Sequence, residues 1–400
     1  MGRLVRDAVP VATLARLRAG RSQAARSQRP VPASLPPRRL RGAHPSPITT
    51  GAPRCLGILA TTAAQPVHRS RDGIHLGAVM APSRRRMMLP LISVVVCTYN
   101  RAGILRLALE HLCRQTLDAA EYEVLVVDNN SRDHTAEVCT EFQARFPNVR
   151  YCREERQGLS HARNRGLHEA CGEYVGYTDD DCRVPPQWLE VASQIIRDLS
   201  PGVFGGPYYP CYDAAPPSWW RDVYGAREHA EKARFLKANE DLSGGNIFFR
   251  RQVLEMIGGF DPGLGMSGEK IGYGEESAAL VNIRTQMPQE VVYYDPRMYV
   301  YHLVRRHKLS LKWIAYSSFV KGRLGARLAC GGAKPRVSYW WLARAVIWRT
   351  KQIGAAVLVH QWRRDRIKFP HAQNFLYEQG LPDHCYALGF LFEQCLLWRR

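Results

Sequence analysis

The chain has 400 residues, enough for one large domain or two ordinary ones, and a formal net charge of +20. Its charge distribution argues against a nucleic-acid binder: before Met87 stand sixteen arginines, no lysine and only the acids Asp7 and Asp72, so that segment alone supplies +14. Eleven cysteines without a Cys-x-x-Cys pair or a Cys/His cluster at zinc spacing exclude a zinc module and point to free thiols in a reducing compartment.

Residues 1–88 are rich in Arg, Pro, Ala and Ser and lack sustained periodicity, which predicts a disordered tail or a start site placed too early, with an organelle transit peptide as the competing reading. From Leu91 the pattern becomes α/β. Ile92–Cys97 is apolar throughout and predicts a strand covered on both faces. Helical spacing over Ala102–Gln115 follows, then a strand over Tyr122–Val127 ending at Asp128. A helix over Asp133–Phe146, a short strand over Asn148–Cys152, a helix over Leu159–Ala170 and a strand over Tyr174–Thr178 complete the run. Strands alternating with helices predict a mostly parallel central sheet flanked by helices.

Beyond that the pattern loosens. Pro185 and Pro186 open a helix through Leu199, and 205–225, rich in Pro, Tyr and Trp, reads as an irregular loop. Gly244–Arg250 reads as a turn into a strand, Glu275–Met287 as a helix, and Val291–Tyr294 and Met298–His302 as short strands. The division expected is a tail over 1–88, an α/β domain over 89–302 and a basic, mainly helical region over 303–400. In that last region Trp340, Trp341, Trp348, Trp362 and Trp398 stand near Arg and Lys. Such a mixture suits a peripheral membrane interface, and equally a helical appendage packed on the domain. No apolar run reaches the roughly 18 residues of a spanning helix.

Asp179, Asp180 and Asp181 close the strand over Tyr174–Thr178. Adjacent carboxylates repel unless a cation or donors balance them, and hard oxygen ligands suit Mg2+ or Mn2+. An acidic turn that caps the following helix is the alternative. Open α/β sheets bind ligands beyond the carboxyl ends of their strands, and Thr98, Tyr99, Asn100 and Asp128 stand at two other such ends. Asn100 also reads as a helix N-cap, and Ser131 and Asp133 as caps of the next helix.

Six segments occur in order: Ile92–Arg101 (ISVVVCTYNR), Val126–Asp133 (VVDNNSRD), Gly158–Gly166 (GLSHARNRG), Thr178–Asp181 (TDDD), Gly244–Asn246 (GGN) and Tyr273–Glu276 (YGEE). Together they resemble a family 2 glycosyltransferase of GT-A fold over about residues 90–302. The resemblance implies an inverting hexosyltransferase-like enzyme with Mg2+ or Mn2+ as cofactor, a nucleotide-diphosphate sugar as donor and a lipid-linked or saccharide acceptor. Nucleic acid is not among its expected partners. The setting would be polysaccharide biosynthesis for the cell envelope, cytoplasmic or peripheral on the inner face of the plasma membrane.

By the same resemblance, Thr98, Tyr99, Asn100, Asp128, Arg163, Asn164, Asp179 and Asp180 line the nucleotide-sugar pocket. Gly245 and Asn246 approach the sugar. Asp181 is the leading metal ligand, with Asp179 and His302 as further ligands. Glu276 stands at the base position with Glu275 beside it, where the family usually has Glu-Asp. The family often has a second acid after Asp128, whereas this chain has Asn129. The glycine-rich run Gly263–Gly274 suggests a lid. A nucleotidyltransferase and a basic nucleic-acid or membrane-surface binding protein are the competing functions. The first of these calls for a glycine-rich phosphate loop, which Cys97–Arg101 lacks.

Overall fold

The computed structural model describes residues 89–399 except 331, 332, 336 and 364–366. The expectations for residues 1–88 lie outside the described residues. In chain order the elements are β1 (Ile92–Thr98), α1 (Ala102–Leu112), β2 (Tyr122–Asp128), α2 (Thr135–Arg145), β3 (Val149–Arg153), α3 (Leu159–Glu169), β4 (Tyr174–Asp179) and β5 (Cys182–Arg183). Next come α4 (Trp188–Leu199), β6 (Val203–Gly205), β7 (Tyr208–Cys211), β8 (Arg234–Phe235), β9 (Asn246–Arg250), α5 (Arg251–Met256) and α6 (Glu275–Gln286). The chain closes with β10 (Val292–Tyr294), β11 (Val300–Leu303), α7 (Leu311–Cys330), α8 (Tyr339–Arg363), α9 (Ala372–Glu378) and α10 (Leu381–Arg399).

The main sheet has the order β3-β2-β1-β4-β9-β6-β10-β8. Its first four strands are parallel, and β9 runs antiparallel between β4 and β6. The apolar run of β1 divides between two layers by strand alternation. Ile92, Val94 and Val96 face a core built with Leu105 and Leu109 of α1, Phe142 of α2 and Trp188 of α4. Val95 faces the opposite core with Ala162 of α3, Leu254 of α5 and Leu280 of α6. A Cβ at Gly166 would lie 2.4 Å from Val95 Cγ1, so this glycine lets α3 lie directly on β1.

The stretch expected to be irregular contains β7, a strand of a second, three-stranded sheet of order β5-β11-β7. Pro210 hides this strand in the sequence, yet β7 is an edge strand, where a missing N–H breaks no ladder. Strand β11 sets His302 opposite Cys182, one residue after the aspartates.

The C-terminal helices clasp the domain. Helix α7 packs along α10 with glycines at the contact: a Cβ at Gly322 would meet Tyr386 O at 1.9 Å, and one at Gly389 would meet Phe319 O at 2.0 Å. Arg323 and Arg327 both donate to buried Glu393 at 2.7 Å. On α9, Tyr377 stacks on Tyr224 at 4.0 Å, and Arg221 pairs with Glu378. Among the described residues no helix is long and apolar enough to cross a membrane.

Candidate active site

Parallel register sets Thr98 opposite Asp128 and Cys97 opposite Asp179, so three strand ends converge on one sheet edge. The aspartates at that edge differ sharply. Asp180 is buried and accepts hydrogen bonds from Thr98 Oγ1 and Arg101 Nη1, both at 2.8 Å. Burial raises its carboxyl to about pH 6 despite the nearby Arg101. Asp180 therefore ties the turn to β1 and is less free for the donor than expected. Arg101, for which the sequence suggests no site role, is a cation that balances this turn. It also lies 3.6 Å from Asp181 Oδ2.

Asp181 Oδ1 stands 3.5 Å from His302 Nε2, and His302 Nδ1 is buried without a partner. Asp179 is the partly exposed member, and burial raises its carboxyl pKa against the opposing effect of Arg163. Ligand atoms of Asp179, Asp181 and Cys182 come within 4.8 Å of one another. Burial holds the Cys182 thiol well above its usual pKa, so it stays protonated and ligates poorly. The two carboxylates, with His302 Nε2 3.5 Å from Asp181, form a donor set that fits a hard divalent cation.

Arg163 links this cluster to the glutamates. The guanidinium is buried, donates to Glu275 Oε1 at 2.8 Å and to Gly244 O at 3.2 Å, and lies 3.7 Å from Asp179 Oδ1. The acid cluster and the glutamate pair are thus joined through one side chain. A Cβ at Gly244 would come 2.5 Å from Arg163 Nη2, and one at Gly245 2.6 Å from Asp179 Oδ2. The two glycines admit protein side chains at these positions, where the sequence suggested a sugar.

Glu275 and Glu276 open α6 after Gly274, which takes the left-handed φ of 90°. Helix polarity favours both carboxylates there. Glu275 is buried, its Oε2 has no partner, and burial with the adjacent Glu276 raises its carboxyl to about pH 7, Arg163 opposing. Glu276 is half-buried and makes no hydrogen bond or ion pair among the described residues.

Glu275 gives a pH prediction. Its carboxyl, facing Glu276, Arg163 and Asp179, binds a proton more tightly folded than unfolded. Stability should be greatest below the ordinary value of 4.5 and fall as pH rises to about 7, by up to about 3 kcal/mol. Urea denaturation across that window checks it: Glu275→Gln should flatten the decline, and an unchanged slope would contradict it.

Three amides are placed otherwise than the sequence suggested. Asn164 Nδ2 donates to Phe260 O at 2.7 Å and its Oδ1 accepts from Phe260 N at 2.8 Å, so both ends hold the loop after α5. Asn246 is fully buried, accepting from Trp188 Nε1 at 3.1 Å and donating to Pro207 O and Met298 O. Asn246, with no exposed surface, is closed to a sugar, whereas half-buried Asn164 keeps a second N–H beyond its Phe260 contact. Asn100 has φ 51° and accepts from Arg132 N at 2.8 Å, while the cap of α1 comes from Asp133, whose Oδ2 takes Ala102 N at 3.0 Å. Ser131 Oγ accepts from Asn100 N and caps no helix. Tyr99 is half-buried on the same loop.

Asp128 is buried, accepting from Ser131 N at 2.8 Å and Tyr151 Oη at 3.0 Å. Asn129 beside it donates to Glu154 O and Arg156 O and accepts from Gln157 Nε2 and Gly158 N. A carboxylate cannot donate, which explains an amide here. Asn129→Asp should set a buried charge against two carbonyls and cost about 2–4 kcal/mol in chemical denaturation. A variant as stable as wild type would contradict the assignment.

The run Gly263–Gly274 is pinned at its start: Leu159 N donates to Met266 O at 2.7 Å and Ser160 Oγ to Leu264 O at 2.8 Å. Its Gly265 would set a Cβ 3.1 Å from Glu275 Oε2, so the run folds over that carboxylate.

Comparisons with known proteins agree with this architecture. Residues 93–258 match the family model described as Glycosyl transferase family 2. The chain is 28% identical over 243 residues to glucosyl-dolichyl phosphate glucuronosyltransferase of Haloferax volcanii, covering 58% of this chain and 75% of that one. It is 31% identical over 173 residues to glycosyltransferase AglE of the same organism, covering 43% and 56%. Among solved structures, mannosyltransferase PcManGT from Pyrobaculum calidifontis, in complex with GDP-Man and Mn2+, aligns with TM-score 0.52 at 19% identity. That alignment covers 78% of this chain and 88% of the other, a likeness that shows the fold alone.

Proposed function

Because this chain is a family 2 glycosyltransferase of GT-A fold, we propose that it moves a sugar from a nucleotide-diphosphate donor to an acceptor hydroxyl by a single, inverting displacement. The observation that carries this reading is Arg163, which holds Glu275 at 2.8 Å on one side and approaches Asp179 to 3.7 Å on the other. A donor whose leaving group meets the aspartates would then present its anomeric carbon toward the glutamates.

Asp181 and Asp179, with His302 beside them, are the residues that would hold Mg2+ or Mn2+. When bound, such an ion neutralises charge growing on the departing diphosphate. Arg101 and Thr98 fix Asp180, and through it the turn that aims Asp181. Asp128 and Tyr99 remain the candidates for contact with the nucleoside. Glu276 takes the proton of the attacking hydroxyl, since Glu275 is buried and ion-paired while Glu276 is free and half-exposed. Glu275, with Arg163, positions the start of α6.

A lipid-linked acceptor is favoured by the dolichyl phosphate substrate in the name of one relative and by helix α8. That helix carries no acid, and Trp340, Arg344, Ile347, Lys351 and Leu358 fall on one exposed stripe. Such a stripe suits the surface of an anionic bilayer. Donor class is tested by a panel of nucleotide sugars scored by thermal shift. One donor should raise the midpoint with Mn2+ and not with EDTA. A panel in which no nucleotide sugar shifts the midpoint would contradict the reading.

A further inference from the structure

Helix α7 lies outside the span matched by the family model, yet it forms a wall beside the glutamates. A Cβ at Gly274 would sit 2.2 Å from Leu324 Cδ2, so Leu324 packs directly on the residue preceding Glu275. One helical turn earlier, on the same face, Lys321 places Nζ 5.0 Å from the centroid of the Tyr273 ring. Lys321 is solvent-exposed, yet surrounding protein pushes its pKa down, Arg227 adding to the effect, Glu276 opposing it and Lys308 adding again. An accessible cation thus stands beside Tyr273, three residues before Glu276.

Arg227 comes from a different part of the chain, the segment between β7 and β8. Its backbone pairs with Tyr208 in both directions, at 2.9 and 3.1 Å, and the Tyr208 ring lies 5.4 Å from that of His302. Contacts thus run from Asp181 through His302 and Tyr208 to Arg227 on one side and from Lys321 to Tyr273 on the other, and the charges of Arg227, Lys308 and Glu276 are all felt at Lys321. Arg227 and Lys321 are exposed, and neither they nor Lys308 has an ion-pair partner among the described residues. Like charges gathered with one shared glutamate repel, and an anion bound among them would relieve that repulsion. A guanidinium fork with an ammonium point charge matches phosphoryl oxygens.

We propose that Lys321 and Arg227, with Lys308 behind them, form a phosphate-binding wall that holds phosphoryl oxygens of a substrate beside Glu276. The inference rests on the glycosyltransferase reading and deepens it: the phosphate is either the donor's diphosphate or one carried by the acceptor.

The test is calorimetric titration of wild type, Lys321→Gln, Arg227→Gln and Lys321→Arg, with Mn2+ present. The probes are UDP, GDP and citronellyl phosphate, with uridine, guanosine and citronellol as phosphate-free controls. Both side chains are exposed, so the variants should keep the wild-type thermal midpoint. At least one phosphate-bearing probe should bind each Gln variant about tenfold or more weakly, with the controls unaffected and Lys321→Arg near wild type. Loss confined to the nucleoside diphosphates assigns the wall to the donor, and loss confined to citronellyl phosphate assigns it to the acceptor. Wild-type affinity for every phosphate probe in both Gln variants overturns the inference, as does a wild type that binds none of them. Wild-type turnover of a nucleotide sugar alongside unaltered variants would sink this inference alone; absent turnover would sink the glycosyltransferase reading.

Discussion

Asp181→Ala should lower sugar transfer by about a thousandfold or more, because stabilisation of a leaving diphosphate by a divalent ion is worth several kcal/mol. The fold should survive. Arg101, which lies 3.6 Å from Asp181, keeps its stronger pairing with Asp180 at 2.8 Å. Asp181 also raises the Asp180 carboxyl by like-charge repulsion, so its removal relieves a strain in the metal-free protein. Chemical denaturation should therefore show a metal-free variant no less stable than wild type. Calorimetry with the nucleoside diphosphate provides the second readout: Mn2+ should strengthen binding to wild type and leave the variant indifferent. A variant that keeps full activity in excess EDTA would remove the metal role from this site.

Glu276→Gln should cost about 10²–10⁴-fold in transfer while leaving donor affinity near wild type, since a positioned base acts on the acceptor proton in the transition state. The side chain makes no hydrogen bond or ion pair among the described residues, so the amide disturbs nothing around it. Glu275→Gln should behave differently. It removes the charge 2.8 Å from the buried Arg163 guanidinium but keeps an acceptor oxygen there, matching the neutral Glu275 that the fold favours, so stability should hold while Arg163 loses the ionic partner that positions it. The first variant should thus lose turnover at wild-type donor affinity, and the second should stay folded with a smaller loss of turnover. A Glu276→Gln enzyme that transfers normally beside a well-folded but inactive Glu275→Gln enzyme would move the base by one residue.

What could be read from the chain before its structure was local. Strand ends with chemical side chains, such as Thr98, Asp128 and Asp179, are visible because apolar runs stop there and parallel register brings the stops together. Contacts across the sequence were not visible. Arg163 meets Glu275 across 112 positions, and only the folded chain shows that one guanidinium joins the two acid groups. Asn246 looked like a polar residue at a loop, but its burial against Trp188 decides its role. Pro210 disguised β7 because a proline argues against a strand unless the strand is known to be at an edge. Lys321 gave no signal at all: one lysine on an amphipathic helix reads as a solvated face until Leu324 is seen seated on Gly274.

The account turns on displacement at an anomeric carbon with release of a nucleoside diphosphate, and proton NMR of the reaction with the matched donor and Mn2+ follows both together. The expected spectrum shows nucleoside diphosphate and a new glycosidic linkage of opposite anomeric configuration to the donor, both abolished by EDTA. A product that retains the donor's configuration, or pyrophosphate released from a nucleoside triphosphate in place of sugar transfer, would contradict it.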